Sequence, residues 1–378
     1  MLSAGAAGGR VSWPRVEEVE VFSVVLPYRE AFTIALGSST ASWNVVVKVR
    51  LEGGTVGWGE GSPSYSVLGE TRGLVASAAR QLAERLVAAR DLSAEGLYEL
   101  CSSCPSPSAA AAVEEAVLDA WARSAGVSLA KLLGGPYRDS VETDVTIGIM
   151  EPEEQAKRAV RYVEEGFRVL KLKLGLDPEK DVERVRAVRD AVGEGVRIRV
   201  DANQGWTVEQ AIRVINRIAS YDVEYVEQPV RWDDLQGLAR VRRESPLPIA
   251  VDESAKRPQD VFRIARLEAA DIVNIKVMKS AGLLGALRVA HASEAAGLVN
   301  MIGCMGEGRL GITGAVCLAA SALNIKYYDL DSDILLAADY ASGGSAVERG
   351  RRGVPGGPGL GVEVDEGKLT RLARVRRA

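Results

Sequence analysis

The sequence predicts an α/β protein built as a modified TIM barrel, (β/α)7β, preceded by an α+β capping domain. Three observations carry the prediction. From about residue 141 onward, short apolar strands alternate with amphipathic helices. Eight such strands can be marked, each but the last followed by a helix. Most of them end in a polar residue, and those residues recur at nearly constant spacing.

The elements follow in order. Residues 1–14, beginning MLSAGAAGGR, are small and read as a flexible extension. They lack the basic-then-apolar order of a secretory signal, so a cytoplasmic protein is expected. Residues 15–135 form the cap. VEEVEVFSVVLPY and WNVVVKVRLEGGTVGWGEGS alternate as strands, with GG at a hairpin. TRGLVASAARQLAERLVAAR and SAAAAVEEAVLDAWARSAGVSLAKLLGG are helical, the second ending at Gly134 and Gly135. Residues 136–340 hold the barrel strands VTIGI, VLKLKLG, IRVDAN, EYVEQPV, PIAVDES, IVNIKV, VNMIGCM and YYDLDS. A doubly wound open sheet is the alternative. Residues 341–378, rich in Gly and Pro, are expected to pack back on the cap.

Composition narrows the function. A net charge of −4 with both signs dispersed gives no reason to expect nucleic acid, and no apolar run is long enough for a membrane span. A single histidine, His291 in a helical pattern, argues against His-rich metal sites and Ser-His-Asp hydrolysis. Of the four cysteines, Cys101 and Cys104 form a C-x-x-C that reads as a local disulfide pair, ahead of a redox or half-zinc site. Cys304 and Cys317 read as core residues. Lysine is scarce, 11 against 36 arginines, and three of the eleven are Lys171, Lys173 and Lys276. Only lysine can lose its proton near neutral pH, so a lysine kept among arginines is a candidate base.

The strand ends gather the chemistry. Lys173 to Asp201 is 28 residues, Asp201 to Glu227 is 26, Glu227 to Asp252 is 25 and Asp252 to Lys276 is 24; Asp329 closes the series. Each interval is one βα unit, so these side chains ring the C-terminal mouth of the barrel. Asp201, Glu227 and Asp252 on adjacent strands would repel one another, and a hard cation such as Mg²⁺, or Mn²⁺ in its place, resolves this with oxygen ligands. Asn203, two residues on, and Glu253 are expected behind the ligands. Lys171 and Lys173 share one face of strand two, where two ammonium groups near a metal would lower each other's pKa values. Lys276 sits across the mouth on strand six. A substrate carboxylate on the metal would then have lysines on both faces of its α-carbon. One removes the proton, the other returns one, and the metal with Lys171 stabilises the enediolate.

These motifs, KLKLG at 171–175, DANQGW at 201–206, VEQP at 226–229, DES at 252–254 and NIKVMKSAG at 274–282, resemble the muconate-lactonizing branch of the enolase superfamily, and VGWGEGSPS is similar to its capping domain. The resemblance spans about residues 16–365. It implies Mg²⁺ on Asp201, Glu227 and Asp252 and an acid/base pair at Lys173 and Lys276, in the superfamily's established chemistry of a Lys or His base beside Mg²⁺. Asp329-x-Asp331 in YYDLDS is similar to the pair by which dipeptide epimerases hold the substrate's α-ammonium. That implies epimerisation at the C-terminal residue of a dipeptide, with muconate cycloisomerase, o-succinylbenzoate synthase and N-acylamino acid racemase as alternatives within the superfamily. An assembly of identical copies is expected.

One departure is informative. Ala-Glu epimerases resemble AFTIALGSST but carry an Arg where Gly37 stands, so an uncharged, apolar second residue is expected here, with Gly306 leaving further space. Two readings from other classes remain. GEGRLG at 306–311 fits a dinucleotide-binding G-x-G-x-x-G, although only one strand follows it. A metal-free Schiff-base aldolase on Lys173 or Lys276 leaves three carboxylates without a role.

Overall fold

Gly57, Gly59 and Gly61 occupy alternate positions of one short strand, Val56–Gly61, and the helix lying across it explains why. A Cβ on any of the three would overlap main-chain atoms of Ala116 and Ala120, of Ala112, or of Ser108. Those four residues are an i, i+4 stripe on helix Pro107–Ser124, whose residues Ser108 through Ala122 are all buried. Glycine opposite small side chains lets the helix lie directly on the sheet. The sheet is antiparallel in the order Thr370–Arg376, Val16–Ile34, Gly37–Leu51, Val56–Gly61. The C-terminal strand therefore lies on the cap's edge, and Arg374 and Arg376 pair with Glu18 there.

The computed structural model describes residues 13–377. Most of the extension expected at 1–14 lies outside them. Trp13 stacks on Trp121, with ring centroids 5.0 Å apart and planes 11° from parallel, so it belongs to the packed cap. The expected Cys101–Cys104 disulfide does not form. Both residues are buried free thiols at the end of helix Ala94–Ser102, and burial pushes the Cys101 thiol well up. Packing, not cross-linking, accounts for them. His291 is exposed on helix Leu283–Ala295.

The barrel carries eight parallel strands in sequential order: Val145–Ile147, Val169–Lys173, Arg197–Asp201, Val223–Glu227, Ile249–Val251, Ile272–Lys276, Val299–Gly303 and Ile325–Tyr328. They are called strands one to eight below. Between strands eight and one the seam is light: the Asp144 amide donates to Tyr328 O (3.1 Å), and the Leu330 amide donates to Thr143 Oγ1 (2.9 Å). Inside, Tyr225, Ala250, Ile272 and Met301 form an apolar floor. The Arg199 guanidinium lies over the Tyr225 and Tyr327 rings at 5.5 and 5.2 Å. A floor filled by side chains leaves one open end for chemistry.

Candidate active site at the barrel mouth

The strand register sets the site. Lys173 is the lateral partner of Asp201, and Asp201 that of Glu227. Asp252 follows directly on strand five, and Lys276 ends strand six. The three carboxylates form an arc with a lysine at each end. Lys173 Nζ donates to Asp201 Oδ2 (2.6 Å), and Lys276 Nζ lies 2.8 Å from Asp252 Oδ2. Strands two and six are four apart in an eight-stranded ring, so the two amines face each other across the mouth. Lys171 sits beneath, fully buried, 2.7 Å from Glu227, 2.8 Å from Asp329 and 3.3 Å from Asp201.

Without a metal in the arc, the Lys171 pKa is not lowered. Burial pulls its pKa down, but Asp329, Glu227 and Asp201 outweigh burial and hold it well above the ordinary lysine value. Lys276 is likewise raised: burial lowers it, and Asp252 more than compensates. In the absence of a competing cation, the carboxylates keep both amines charged.

The donor set fits a hard divalent cation. Asp201, Glu227 and Asp252 offer only oxygen. Glu227 Oε2 and Asp252 Oδ2 are buried at ion-pair distance from ammonium groups, yet neither receives a hydrogen bond. The ammonium groups of Lys171 and Lys276 balance the charge, and the lone pairs left without a hydrogen bond are those a metal ion would take up. Burial pushes the Glu227 carboxyl up, with Asp201 adding to it, whereas at Asp201 and Asp252 the neighbouring lysines outweigh burial and hold the carboxyls down. A different trio, Cys304, Asp329 and Asp331, brings three donor atoms within 4.8 Å of one another. It suits a metal poorly, because burial keeps the Cys304 thiol protonated and Lys171 already neutralises Asp329.

Asp329 and Asp331 lie at the seam opposite the arc. Asp331 Oδ2 accepts from the Thr146 amide (2.5 Å), and Asp329 Oδ1 accepts from Thr146 Oγ1 (3.4 Å). Burial, with Asp329 beside it, pushes the Asp331 carboxyl up to about 6, while burial is outweighed at Asp329 by Lys171, which holds that carboxyl far down. Asn203 Nδ2 donates to Glu253 Oε1 (3.3 Å), and the Asn203 amide donates to Asp201 Oδ1 (2.8 Å).

The cleft above the arc, about 790 Å³, runs from Asn203 and Lys276 to the hairpin that carries Gly37. Gly37 has φ +140°, and a Cβ there would meet nothing within 4 Å. Gly306 does not leave space as expected. A Cβ on it would lie 2.5 Å from Ser42 Oγ and 2.9 Å from Tyr28 OH, so glycine serves close packing there. The amides of the GEGRLG segment are already engaged within the protein. The amides of Gly308 and Gly311, at the start of helix Arg309–Ser321, donate to the two carboxylate oxygens of Glu60 from the cap, each at 2.9 Å. A protein anion fills the place where a phosphate would sit.

Three residues escaped the sequence reading. Lys279 is buried; it donates to Asp252 Oδ1, to Asp252 O (2.5 Å) and to Asn274 O (2.9 Å). Asn274 Nδ2 donates to Glu227 Oε1 (2.6 Å). Thr146 holds both seam aspartates. Asn274 could have been found two residues before Lys276, on the same strand face, and Lys279 as one more lysine in an arginine-rich chain.

Comparison with known proteins gives the same picture. Residues 16–134 match the family described as "Mandelate racemase / muconate lactonizing enzyme, N-terminal domain", and residues 154–368 match "Enolase C-terminal domain-like". The L-Ala-D/L-Glu epimerase of Bacillus subtilis is 36% identical over 92% of this chain and 96% of its own length. The hydrophobic dipeptide epimerase of Enterococcus faecalis is 37% identical over 88% and 95%. A crystal structure of the Enterococcus faecalis dipeptide epimerase with Mg and L-Leu-L-Tyr superposes with a TM-score of 0.88 at 36% identity, covering 92% of this chain and 99% of that one. With its cap, its parallel barrel and these relatives, the chain belongs to the mandelate racemase/muconate lactonizing enzyme family of the enolase superfamily, a family of epimerases and racemases.

Proposed function

We propose that the protein is a dipeptide epimerase, moving a proton on and off the α-carbon of a dipeptide's C-terminal residue. The observation that carries this reading is the pair Lys173 and Lys276, set at opposite ends of one carboxylate arc. Asp201, Glu227 and Asp252 would hold Mg²⁺, which when bound supplies positive charge to the substrate carboxylate and acidifies the neighbouring C–H. One lysine takes the α-proton from its face, the other delivers a proton from the opposite face, and the configuration inverts. Lys171 adds fixed positive charge beneath the carboxylate. Asp329 and Asp331 would receive the peptide's α-ammonium. Cycloisomerase, succinylbenzoate synthase and N-acylamino acid racemase substrates carry no ammonium, and for them this buried pair has no use. The dipeptide epimerases among the relatives support the same choice.

The second residue is proposed to be uncharged and apolar. Ile34, Leu36, Trp43, Tyr65 and Val67 line the cleft, and Gly37 offers no charge. One observation favours a rival. Arg72 also lines the cleft, its guanidinium 4.7 Å over the Trp43 ring, and could turn to meet an acidic side chain. The test is incubation with pooled L,L-dipeptides in D₂O with Mg²⁺, read by mass spectrometry. Gain of one deuterium in Ala-Leu or Ala-Phe ahead of Ala-Glu supports the proposal. Preference for Ala-Glu assigns Arg72 instead, and exchange confined to N-acylated amino acids defeats the dipeptide reading.

A further inference from the structure

Residues 304–308 follow strand seven of the barrel, yet the cap reaches down to hold their main chain. The Gly306 amide donates to Ser62 Oγ (3.1 Å), Gly306 O accepts from Asn44 Nδ2 (2.8 Å), and the Gly308 amide donates to Glu60 Oε1 (2.9 Å). Glu60 is the centre of this junction. Its Oε1 also accepts from Asn44 Nδ2 (2.6 Å), and its Oε2 accepts from the Gly311 amide (2.9 Å) in the first turn of helix Arg309–Ser321. Ser42 Oγ donates to Asn44 Oδ1 (2.7 Å), which fixes the way round that the Asn44 amide points. Asn44 and Glu60 are wholly buried.

A carboxylate suits this place better than its amide. The three donors that meet it are all amides, and the helix N-terminus behind Gly308 and Gly311 favours negative charge. A glutamine there would aim its own NH₂ at another amide donor whichever way it turned. The loop so held borders the reaction. Cys304, Met305 and Gly306 line the cleft beside Ser42 and Ser62. Beyond it, the hydroxyl of Ser332, which directly follows Asp331, donates to Glu307 O (2.7 Å).

Resting on the dipeptide-epimerase reading of the cleft, we infer that Glu60 is a positioning residue: from the cap it sets residues 304–308 against the bound substrate. It acts through the loop, so its loss weakens binding and spares proton transfer at Lys173 and Lys276. Glu114 is the matched control. It is an equally buried cap carboxylate that accepts from the Leu284 amide in helix Leu283–Ala295, away from the cleft lining.

The experiment compares Glu60→Gln and Glu114→Gln with the parent, as full chains at pH 8, where the Glu60 carboxyl, pushed by burial up to about 7, is ionised. Deuterium exchange into the dipeptide most active in the pooled assay, with Mg²⁺, gives kcat and KM. Hydrogen exchange read by mass spectrometry follows the peptide spanning residues 304–311 without substrate. Glu60→Gln is expected to raise KM about 10-fold or more, the worth of one charge-assisted hydrogen bond, with kcat within about 3-fold. It is also expected to speed exchange in that peptide, while Glu114→Gln leaves both readouts at parental values. An unchanged KM, or equal changes in the two variants, overturns the positioning role and leaves the epimerase reading intact. A parent that labels no dipeptide overturns the epimerase reading; unaltered peptide exchange in Glu60→Gln then overturns the hold on the loop as well. Should Glu60→Gln fail to fold, Asn44→Ala, which takes a donor from both Gly306 O and Glu60, is expected to raise KM in its place. An unchanged KM there overturns the inference.

Discussion

Replacing Lys279 by methionine tests whether the metal end of the site is held together by a buried ammonium. The residue is buried and touches three acceptors: Asp252 Oδ1, Asp252 O and Asn274 O. Removing it takes the buried donor from Asp252 Oδ1 and Asn274 O, while Asp252 O keeps the Ala255 amide (3.1 Å). Hydrogen bonds to a charged group contribute about 1.5–3 kcal/mol each, and losing one partner of a buried pair costs about 3–5 kcal/mol. Two effects pull the figure down. Burial depresses the Lys279 pKa despite Asp252, so its ammonium is held at a cost that methionine escapes. Asp252 also keeps Lys276 at 2.8 Å, so its charge is not left alone. The loss should therefore fall near the lower bound, about 3 kcal/mol, or a drop in thermal midpoint of roughly 4 °C for a chain of this size. Thermal denaturation of Lys279→Met beside the parent, both metal-free, measures it. A midpoint within about 1 °C of the parent refutes the assignment of Lys279 as the brace of Asp252.

Gly59→Ala should destabilise by about 3 kcal/mol, the upper end for overpacking, because the new methyl meets the main chain of Ala112 and no flexible side chain can give way; a thermal melt near the parent's contradicts the glycine–alanine contact. The Glu114 carboxyl, buried and bonded to the Leu284 amide, is pushed up to about 8 by burial. A raised acid contributes stability that is full below its unfolded value near 4.5 and is lost as pH rises through 8. Glu114→Gln should therefore flatten the fall in denaturation midpoint between about pH 5 and pH 8, and an unchanged slope refutes that source. Asp331→Asn should raise KM for dipeptides about 10- to 100-fold, the value of one charge-assisted hydrogen bond, with little effect on N-acetylated analogues. Equal loss on both substrates refutes an ammonium partner.

Much of the architecture could be read in the chain because barrel strands are short, apolar and evenly spaced. The spacing of Lys173, Asp201 and Glu227 turned into lateral register, since one βα unit advances the chain by one strand. Hidden features depended on which groups meet across the domain boundary. Gly306 looked like vacant space because the sequence does not say that Ser42 and Tyr28 fill it. GEGRLG matched a phosphate motif because a pattern of glycines does not reveal that Glu60, some 250 residues earlier, caps the same amides. The spacing does not reveal that Asp329, Glu227 and Asp201 surround Lys171 and hold its charge when no metal competes for them. The C-x-x-C suggested a bond where the fold needed only two small buried groups.

The central claim is that Lys173 and Lys276 reach one carbon from opposite faces. The measurement is α-proton exchange in D₂O by Lys173→Ala and Lys276→Ala, each loaded with Mg²⁺ and given the L,L and L,D epimers of one active dipeptide separately. Both variants should lose epimerisation, while each keeps deuterium exchange with one epimer only, and not the same one. Exchange by both variants on the same epimer would place the two amines on one face and contradict the account.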